Sequence, residues 1–243
     1  MKRNILKHAA AALVVAAVAF AGCRKDDPQD GQTTMTMTTA KADVMIRLAG
    51  VGKATIDWGD GSEPQAVIFS PLARSPDIYS HNYSGASART ITVSGHFITH
   101  LHCYGNGLTA LDAGKNTTLI ELYCNFNNLT ALDVSKNTAL KILYCYNNNL
   151  TALDVSKNTA LTQLYCNNNN LTALDVSKST TLINLRCQSN KFTAEGLNAL
   201  FGTLHGNPIM SKSIYIMNNP GTADCDQGIA TGKEWIVDAT FDY

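Results

Sequence analysis

The sequence predicts a mostly β chain: a solenoid of short parallel strands, preceded by a small antiparallel β-domain. Three observations carry this. Asn106, Asn127, Asn148, Asn169 and Asn190 recur at one fixed step of 21 residues, and Asn219 follows after a longer step. Around each sits one frame, clearest at Leu140, Leu143, Cys145, Asn148 and Leu150, reading L-x-x-L-x-C-x-x-N-x-L. Before the repeats, between residues 42 and 95, short alternating apolar segments are separated by turn residues. A fixed period of this size is the mark of a stack in which each unit buries its apolar side chains only against its neighbours.

The frame resembles the leucine-rich repeat family over about half the chain, from Ile98 to Asn219. In Leu143-Tyr144-Cys145, alternation places Leu143 and Cys145 on one strand face and Tyr144 on the other. Leu140 and Leu150 turn inward where the coil bends. The Asn side chain, at the end of the strand, can donate to and accept from backbone groups of adjacent coils. A structural ladder is the expected role of these residues.

Lys2, Arg3 and Lys7 precede an apolar run from Ala9 to Phe20, the layout of a secretory signal and too short for a stable span. The run closes with Phe20-Ala21-Gly22-Cys23, which resembles a bacterial lipobox with Phe20 in place of the usual Leu. That resemblance implies lipidation of Cys23 as the first mature residue; an unmodified cleaved signal is the alternative. Arg24-Lys25-Asp26-Asp27 resembles the short Lys-plus-acidic signal that sends Bacteroidetes-type lipoproteins to the outer face of the outer membrane. Membrane attachment is thus expected through the lipid anchor alone. Residues 1–22 are assigned to the signal peptide and 23–40 to a flexible tether, because Gln, Thr, Gly and Met there show no period.

Composition is that of a globular protein, 45% apolar and 16% charged, with formal net charge zero. Removing the signal leaves 16 basic against 19 acidic residues, about −3. Such a balance gives no electrostatic footprint for nucleic acid.

Residues 41–97 are expected to hold strands at Val44–Leu48, Ala54–Trp58, Ala66–Phe69 and Thr90–Val93, as a small antiparallel sandwich. Trp58-Gly59-Asp60-Gly61, with His81-Asn82-Tyr83 further on, resembles the PKD-type immunoglobulin-like domain. Asp60 is expected to act as an Asx-turn acceptor rather than a metal ligand. The resemblance implies a spacer that also shields the first coil.

The repeats span 98–220. Their return segments read Leu-Thr-Ala-Leu-Asp-(Val/Ala)-(Ser/Gly)-Lys, with no helical stripe, so extended chain or short 3₁₀ turns are expected there. Asp112, Asp133, Asp154 and Asp175 form one row and Lys115, Lys136, Lys157 and Lys178 another. The Asp row is expected to accept backbone or Ser hydrogen bonds; a calcium ladder would have too few oxygens. Cys103, Cys124, Cys145, Cys166 and Cys187 point inward in register. Parallel strands ~4.8 Å apart hold their Cβ vectors parallel, so these five are expected as buried free thiols. Cys225 has no obvious mate. Thr193 caps a predicted helix with Leu197, Leu200, Phe201 and Leu204 on one face, Ile214-Tyr215-Ile216 is a final strand, and residues 221–243 cap the stack.

For catalysis the sequence offers little: no Gly-rich phosphate loop, no G-x-S-x-G, no H-E-x-x-H and no C-x-x-C. His102 and Cys103 face opposite sides of one strand, which excludes a nucleophile–base pair between them. No cofactor is expected. His100 and His102, with His96 upstream, offer paired imidazoles for zinc or copper but lack a clear third ligand. The candidate ligand-binding residues face outward from the concave strands: Tyr123, Tyr144, Tyr165, Arg186 and Tyr215 in a row headed by His102, with Tyr104 and Tyr146 two residues further along. Six strands make a stripe ~24 Å long. The expected function is that of a monomeric, non-enzymatic surface lipoprotein that binds a protein partner or serves in adhesion. Glycan capture and a purely structural envelope role are the alternatives.

Overall fold

The computed structural model describes residues 32–70, 75–208 and 211–239. The expectations for the signal peptide, for Cys23 and for the Lys-plus-acidic signal fall outside them. The described residues belong to one compact unit.

That unit is a leucine-rich-repeat solenoid joined edge to edge with antiparallel strands. Strand β1 is Thr33–Thr39, β2 Asp43–Asp57, β3 Gln65–Ile68, β4 Asp77–Asn82 and β5 Arg89–His102. The coils follow with β6 Ala110–Asp112, β7 Glu121–Tyr123, β8 Ile142–Tyr144, β9 Gln163–Tyr165 and β10 Asn184–Arg186. Helix α1, Ala194–Thr203, then leads to β11 Lys212–Tyr215, α2 Gly228–Thr231 and β12 Trp235–Asp238. From β5 through β7, β8, β9, β10 and β11 to β12 the pairing is parallel and in register.

The tether expectation is overturned for Thr33–Thr39. This segment reads T-T-M-T-M-T-T, buries Met35 and Met37, and pairs with β5 on one edge and with β6 on the other. Its composition looks like a linker because Thr is polar. Yet Thr is β-branched and suits a pleated surface, and two Met at i and i+2 are enough to fix one face inward.

β5 is the hinge between the two architectures. Its first half takes β1, while its last three residues pair with β7 on that same edge. Its other edge carries β2 from Thr92 to His102, and β2 carries β3 and β4. The antiparallel strands and the coils thus share one continuous 12-stranded sheet.

Inside the coils the inward residues are as expected. Leu101, Leu122, Leu143, Leu164 and Leu185 are fully buried, and so are the five ladder cysteines, which are free. Burial pushes the Cys103 and Cys166 thiols up to about 12, so they pack as small hydrophobes rather than reactive groups.

The Asn ladder closes the strand ends. Asn148 accepts from Leu129 N–H at 3.0 Å and donates to the carbonyls of Cys124 at 3.0 Å and Cys145 at 3.1 Å. Asn127, Asn169 and Asn190 repeat this pattern one coil apart. A second buried ladder, unread in the sequence, runs through Asn116, Asn137 and Asn158. Asn137 donates to Ala113 O and Asn116 O, and Asn158 to Val134 O and Asn137 O. Both ladders serve one physical need: a tight coil leaves carbonyls indoors that no strand can satisfy.

The Asp row accepts from the backbone two residues on, as Asp133 from Ser135 N–H and Asp154 from Ser156 N–H at 2.8 Å. Those bonds hold the Asp133 and Asp154 carboxyls below the usual range. At the C-terminal end, Thr193 caps α1 by accepting from Gly196 N–H at 3.1 Å. There β12 adds a further parallel strand with Trp235 buried over the last coil.

The candidate binding face

Each coil strand is three residues long with its middle Leu buried, so its two flanking residues face outward, half-buried. In-register parallel pairing then stacks equivalent outward side chains directly upon one another. The result is an unbroken pile of rings. His102 lies on Tyr123 at 3.9 Å and 2° between planes, Tyr123 on Tyr144 at 4.5 Å, and Tyr144 on Tyr165 at 4.2 Å and 7°. Arg186 then sits with its guanidinium 4.5 Å from the Tyr165 ring and 4.9 Å from the Tyr215 ring. The structure therefore brings Tyr123, Tyr144, Tyr165, Arg186 and Tyr215 into one line, as read from the sequence.

The line is longer than six strands. His102 pairs with Arg47 of β2, Arg47 pairs with Ile78 of β4, and at the other end Tyr215 pairs with Asp238 of β12. Nine strands contribute, and eight spacings of ~4.8 Å make a row of ~38 Å. The antiparallel strands extend the concave sheet rather than standing behind it.

Stacking sets the chemistry of this face. Each Tyr ring turns its faces to its neighbours and presents its edge and hydroxyl outward. Desolvation pushes the Tyr123 phenol up to about 12 and Tyr144 well above its ordinary value, so both remain hydrogen-bond donors. Tyr144 donates to Gln163 Oε1 at 2.5 Å. In the fifth coil, Asn184 Oδ1, Arg186 Nε and Gln188 Oε1 are buried without partners among the described residues.

Tyr104 and Tyr146 lie in a parallel row at the strand ends. The sequence reading missed Phe126 beside them. It is 55% exposed, edge-on to Tyr146 at 5.2 Å, and has φ +54°. The equivalent position of the other coils is Gly105, Asn147, Asn168, Ser189 or Asn218, all at positive φ. Phe is a poor fit to that left-handed slot, where Gly and Asn are at ease. A bulky aromatic breaking an otherwise Gly/Asn/Ser column was the signal available in the sequence. Asn106 also fixes half-exposed Met45 near this edge by bonding both its N–H and its carbonyl.

At the N-terminal end Glu121 lies 3.5 Å from His100 Nε2 and 3.4 Å from His102 Nε2. Burial lowers the His102 pKa despite that carboxylate. Among the described residues no group of three His, Cys, Asp or Glu side chains is placed to hold a metal ion. A second polar node, in the antiparallel strands, gathers the motif residues. Asp60 accepts from Ser62 N–H and pairs with His81 at 2.7 Å, His81 stacks on Trp58 at 5.1 Å, and Tyr83 donates to Trp58 O. Those bonds hold the Asp60 carboxyl well below its usual range. The Asx-turn role expected of Asp60 is the one observed.

Two depressions, about 510 and 540 Å³, lie along the return segments and are lined by the repeated Thr-Ala-Leu-Asp, the second also by Gly196, Ala199 and Thr203 of α1. They are shallow, and the Asp133 and Asp154 carboxylates there already accept from Ser N–H groups. The ring row, not these troughs, lines up aromatic edges with the Arg186 guanidinium.

Among solved structures, the chain is similar to the functional domain of InlJ from Listeria monocytogenes, whose description includes a cysteine ladder. The identity is 33% over 58% of this chain and 29% of that one, with TM-score 0.48. It is also similar to the internalin InlF from Listeria monocytogenes at 21% identity, covering 50% of this chain and 42% of that one, with TM-score 0.37. The matches thus span less than half the length of either neighbour. No protein-family model and no curated protein matches the chain.

Proposed function

We propose that this protein is a non-catalytic binding scaffold whose concave tyrosine row docks a protein partner, in adhesion or a related surface contact. The observation that carries the reading is the ring stack. Sugar capture by aromatic side chains uses ring faces, and here His102, Tyr123, Tyr144 and Tyr165 turn those faces to each other. What remains outward is a line of ring edges, phenol hydroxyls and the Arg186 guanidinium, groups that carry much of the energy in protein interfaces. Catalysis has no foothold in the ladder thiols, since the buried Cys103 thiol, raised to about 12, stays protonated at neutral pH.

The same reading places the protein as a monomer on the outer face of a bacterial outer membrane, held by acyl chains on Cys23. Its antiparallel strands then act as a PKD-like spacer between anchor and coils. The support for these points is the lipobox-like Ala21-Gly22-Cys23, the Lys25-Asp26-Asp27 that follows, and the Trp58/Asp60/His81/Tyr83 node.

Mature protein applied to arrays of host proteins and of polysaccharides tests the reading. Retention on a protein that falls at least about tenfold in the double variant Tyr144→Ser, Tyr165→Ser, with the fold intact, is the expected outcome. Retention on polysaccharide would favour glycan capture. Unchanged affinity with a lowered melting temperature would make the row structural only.

A further inference from the structure

Among the described residues, and apart from Ile236 in the last strand, the exposed large apolar side chains fall into two groups. Met45, Ile78, Tyr104 and Phe126 belong to the concave sheet and its edge. Val51, Ile68 and Phe97, 63%, 72% and 53% exposed, sit elsewhere. Val51 pairs directly with Phe97 where β2 and β5 both bulge, and Ile68 of β3 pairs with Lys53 two residues further along β2. Gly52, at φ +84°, makes the bulge and accepts from Phe69 N–H, while Phe69 itself is buried beneath. The three residues thus form one apolar tip held by backbone bonds over a buried aromatic. Single exposed apolar residues need no explanation, but three gathered on one rigid tip do.

The chain's own path says what covers this tip. β1 runs antiparallel to β5, and its first residue, Thr33, pairs with Gly95 and donates to the Gly95 carbonyl at 2.7 Å. The polypeptide therefore enters the fold at the end of β1 that points towards His96 and Phe97. Cys23 lies ten residues upstream of Thr33, and ten residues reach at most ~35 Å even fully extended. An acylated Cys23 would hold the bilayer within that distance of Gly95, and so within reach of the tip.

We infer that Val51, Ile68 and Phe97 form a membrane-seating tip that inserts shallowly into the lipid surface beside the anchor. This rests on the lipid-anchored reading of Cys23. The tip gives the second, weaker contact that fixes orientation, with exposed Lys53 at its base suited to lipid phosphates. Apolar side chains of such a tip would enter the boundary between headgroups and acyl chains, ~5–10 Å deep. The concave row stays clear for a partner because it occupies different side chains of the same strands.

Phe97→Trp on the mature chain from Cys23 reads this directly. Trp58 and Trp235 are 3% and 2% exposed, and the ladder thiols are fully buried, so with Cys225→Ser only Cys23 couples to a maleimide phospholipid. In vesicles of phosphatidylethanolamine and phosphatidylglycerol with brominated acyl chains, the introduced Trp is expected to lose about half its emission and its access to acrylamide. Adding Val51→Asp and Ile68→Asp should restore both. An unquenched, acrylamide-accessible Trp on tethered protein overturns the tip contact. So does a Trp already shielded before tethering, which would mean that the chain itself or a second copy covers the tip. Fatty-acid labelling of the native protein separates the two readings. No label on wild type defeats the anchor and the tip geometry with it, whereas an unquenched Trp on acylated protein defeats the tip alone.

Discussion

The coils and the antiparallel strands solve the same problem, satisfying buried backbone while burying apolar side chains, by opposite means. The coils do it by repetition: one Asn per coil at the strand end, a second in the return turn, and a Leu–Cys pair inward each time. The antiparallel strands do it with contacts made once, such as the Trp58–His81–Tyr83 cluster, the Asp60 turn and the bulges of β2. A repeated contact can fail in one coil while its neighbours hold, because each coil answers only to those beside it. A contact made once has no second copy.

The sharpest way to break that contrast is at Gly59. Its φ is +75° and an added Cβ would fall against the Thr90 carbonyl. Gly59→Ala is expected to lose about 3 kcal/mol in urea unfolding, since both the left-handed backbone and the close approach resist a side chain. A loss below the coil variant that follows would reverse the contrast.

In the coils, Asn148→Ala strands Leu129 N–H and takes one of two donors from each of the Cys124 and Cys145 carbonyls, which keep Asn127 and Asn169. About 1–3 kcal/mol should go, read from the same unfolding curve. An unchanged midpoint would show that water reaches those groups.

A third variant uses one coil to repair another. Asn116 Oδ1 accepts from the Thr118 hydroxyl at 2.8 Å, whereas Asn137 Oδ1 and Asn158 Oδ1 are buried without partners. The residue equivalent to Thr118 is Ala139 in the next coil and Ala160 in the one after. Ala139→Thr should therefore add about 1 kcal/mol. No gain, with the introduced hydroxyl ordered in a crystal structure of the variant, would mean that Asn137 is already solvated.

Phe126→Asn gives the left-handed slot a residue suited to it and should raise stability by up to about 1 kcal/mol, less whatever the Tyr146 contact contributes. The thermal midpoint decides the sign. A rise accompanied by weaker partner binding would mark Phe126 as a side chain kept for recognition at a cost to folding.

The smallest effect is a pH slope. His102 is pushed below its ordinary 6.5 by burial beneath Tyr123, with Glu121 opposing and His100 and Arg47 adding to the shift. Between its folded pKa and 6.5 the unfolded chain binds the extra proton, so stability falls as pH drops through that window. His102→Gln should flatten the fall. An identical slope in wild type and variant would assign it to other groups.

Much of this molecule is legible in the sequence because a period announces itself. Leu143 and Cys145 must face inward if every coil repeats them, and the tyrosines between must then face outward and stack. The Asp60 turn was legible for a different reason: Trp58-Gly59-Asp60-Gly61 carries its own local chemistry. β1 was not legible, since seven residues of Thr and Met look like a linker until Met35 and Met37 find the interior. Nor was the Asn116 ladder, whose purpose exists only once carbonyls of the preceding coil lie beneath its residues.

The sequence by itself determined the coil: its length, its inward set, its polar rungs and its outward aromatic column, because local alternation and a fixed step leave one arrangement. Only the tertiary structure decided where the sheet ends. β5 is a single strand whose two halves pair with different partners on one edge, and no local pattern encodes which partner arrives. That choice joins Arg47 and Ile78 to the ring row and sets β1's entry beside Phe97. Hydrogen-bonded register across strands far apart in sequence is fixed by the packing of the whole, and not by the residues that happen to meet.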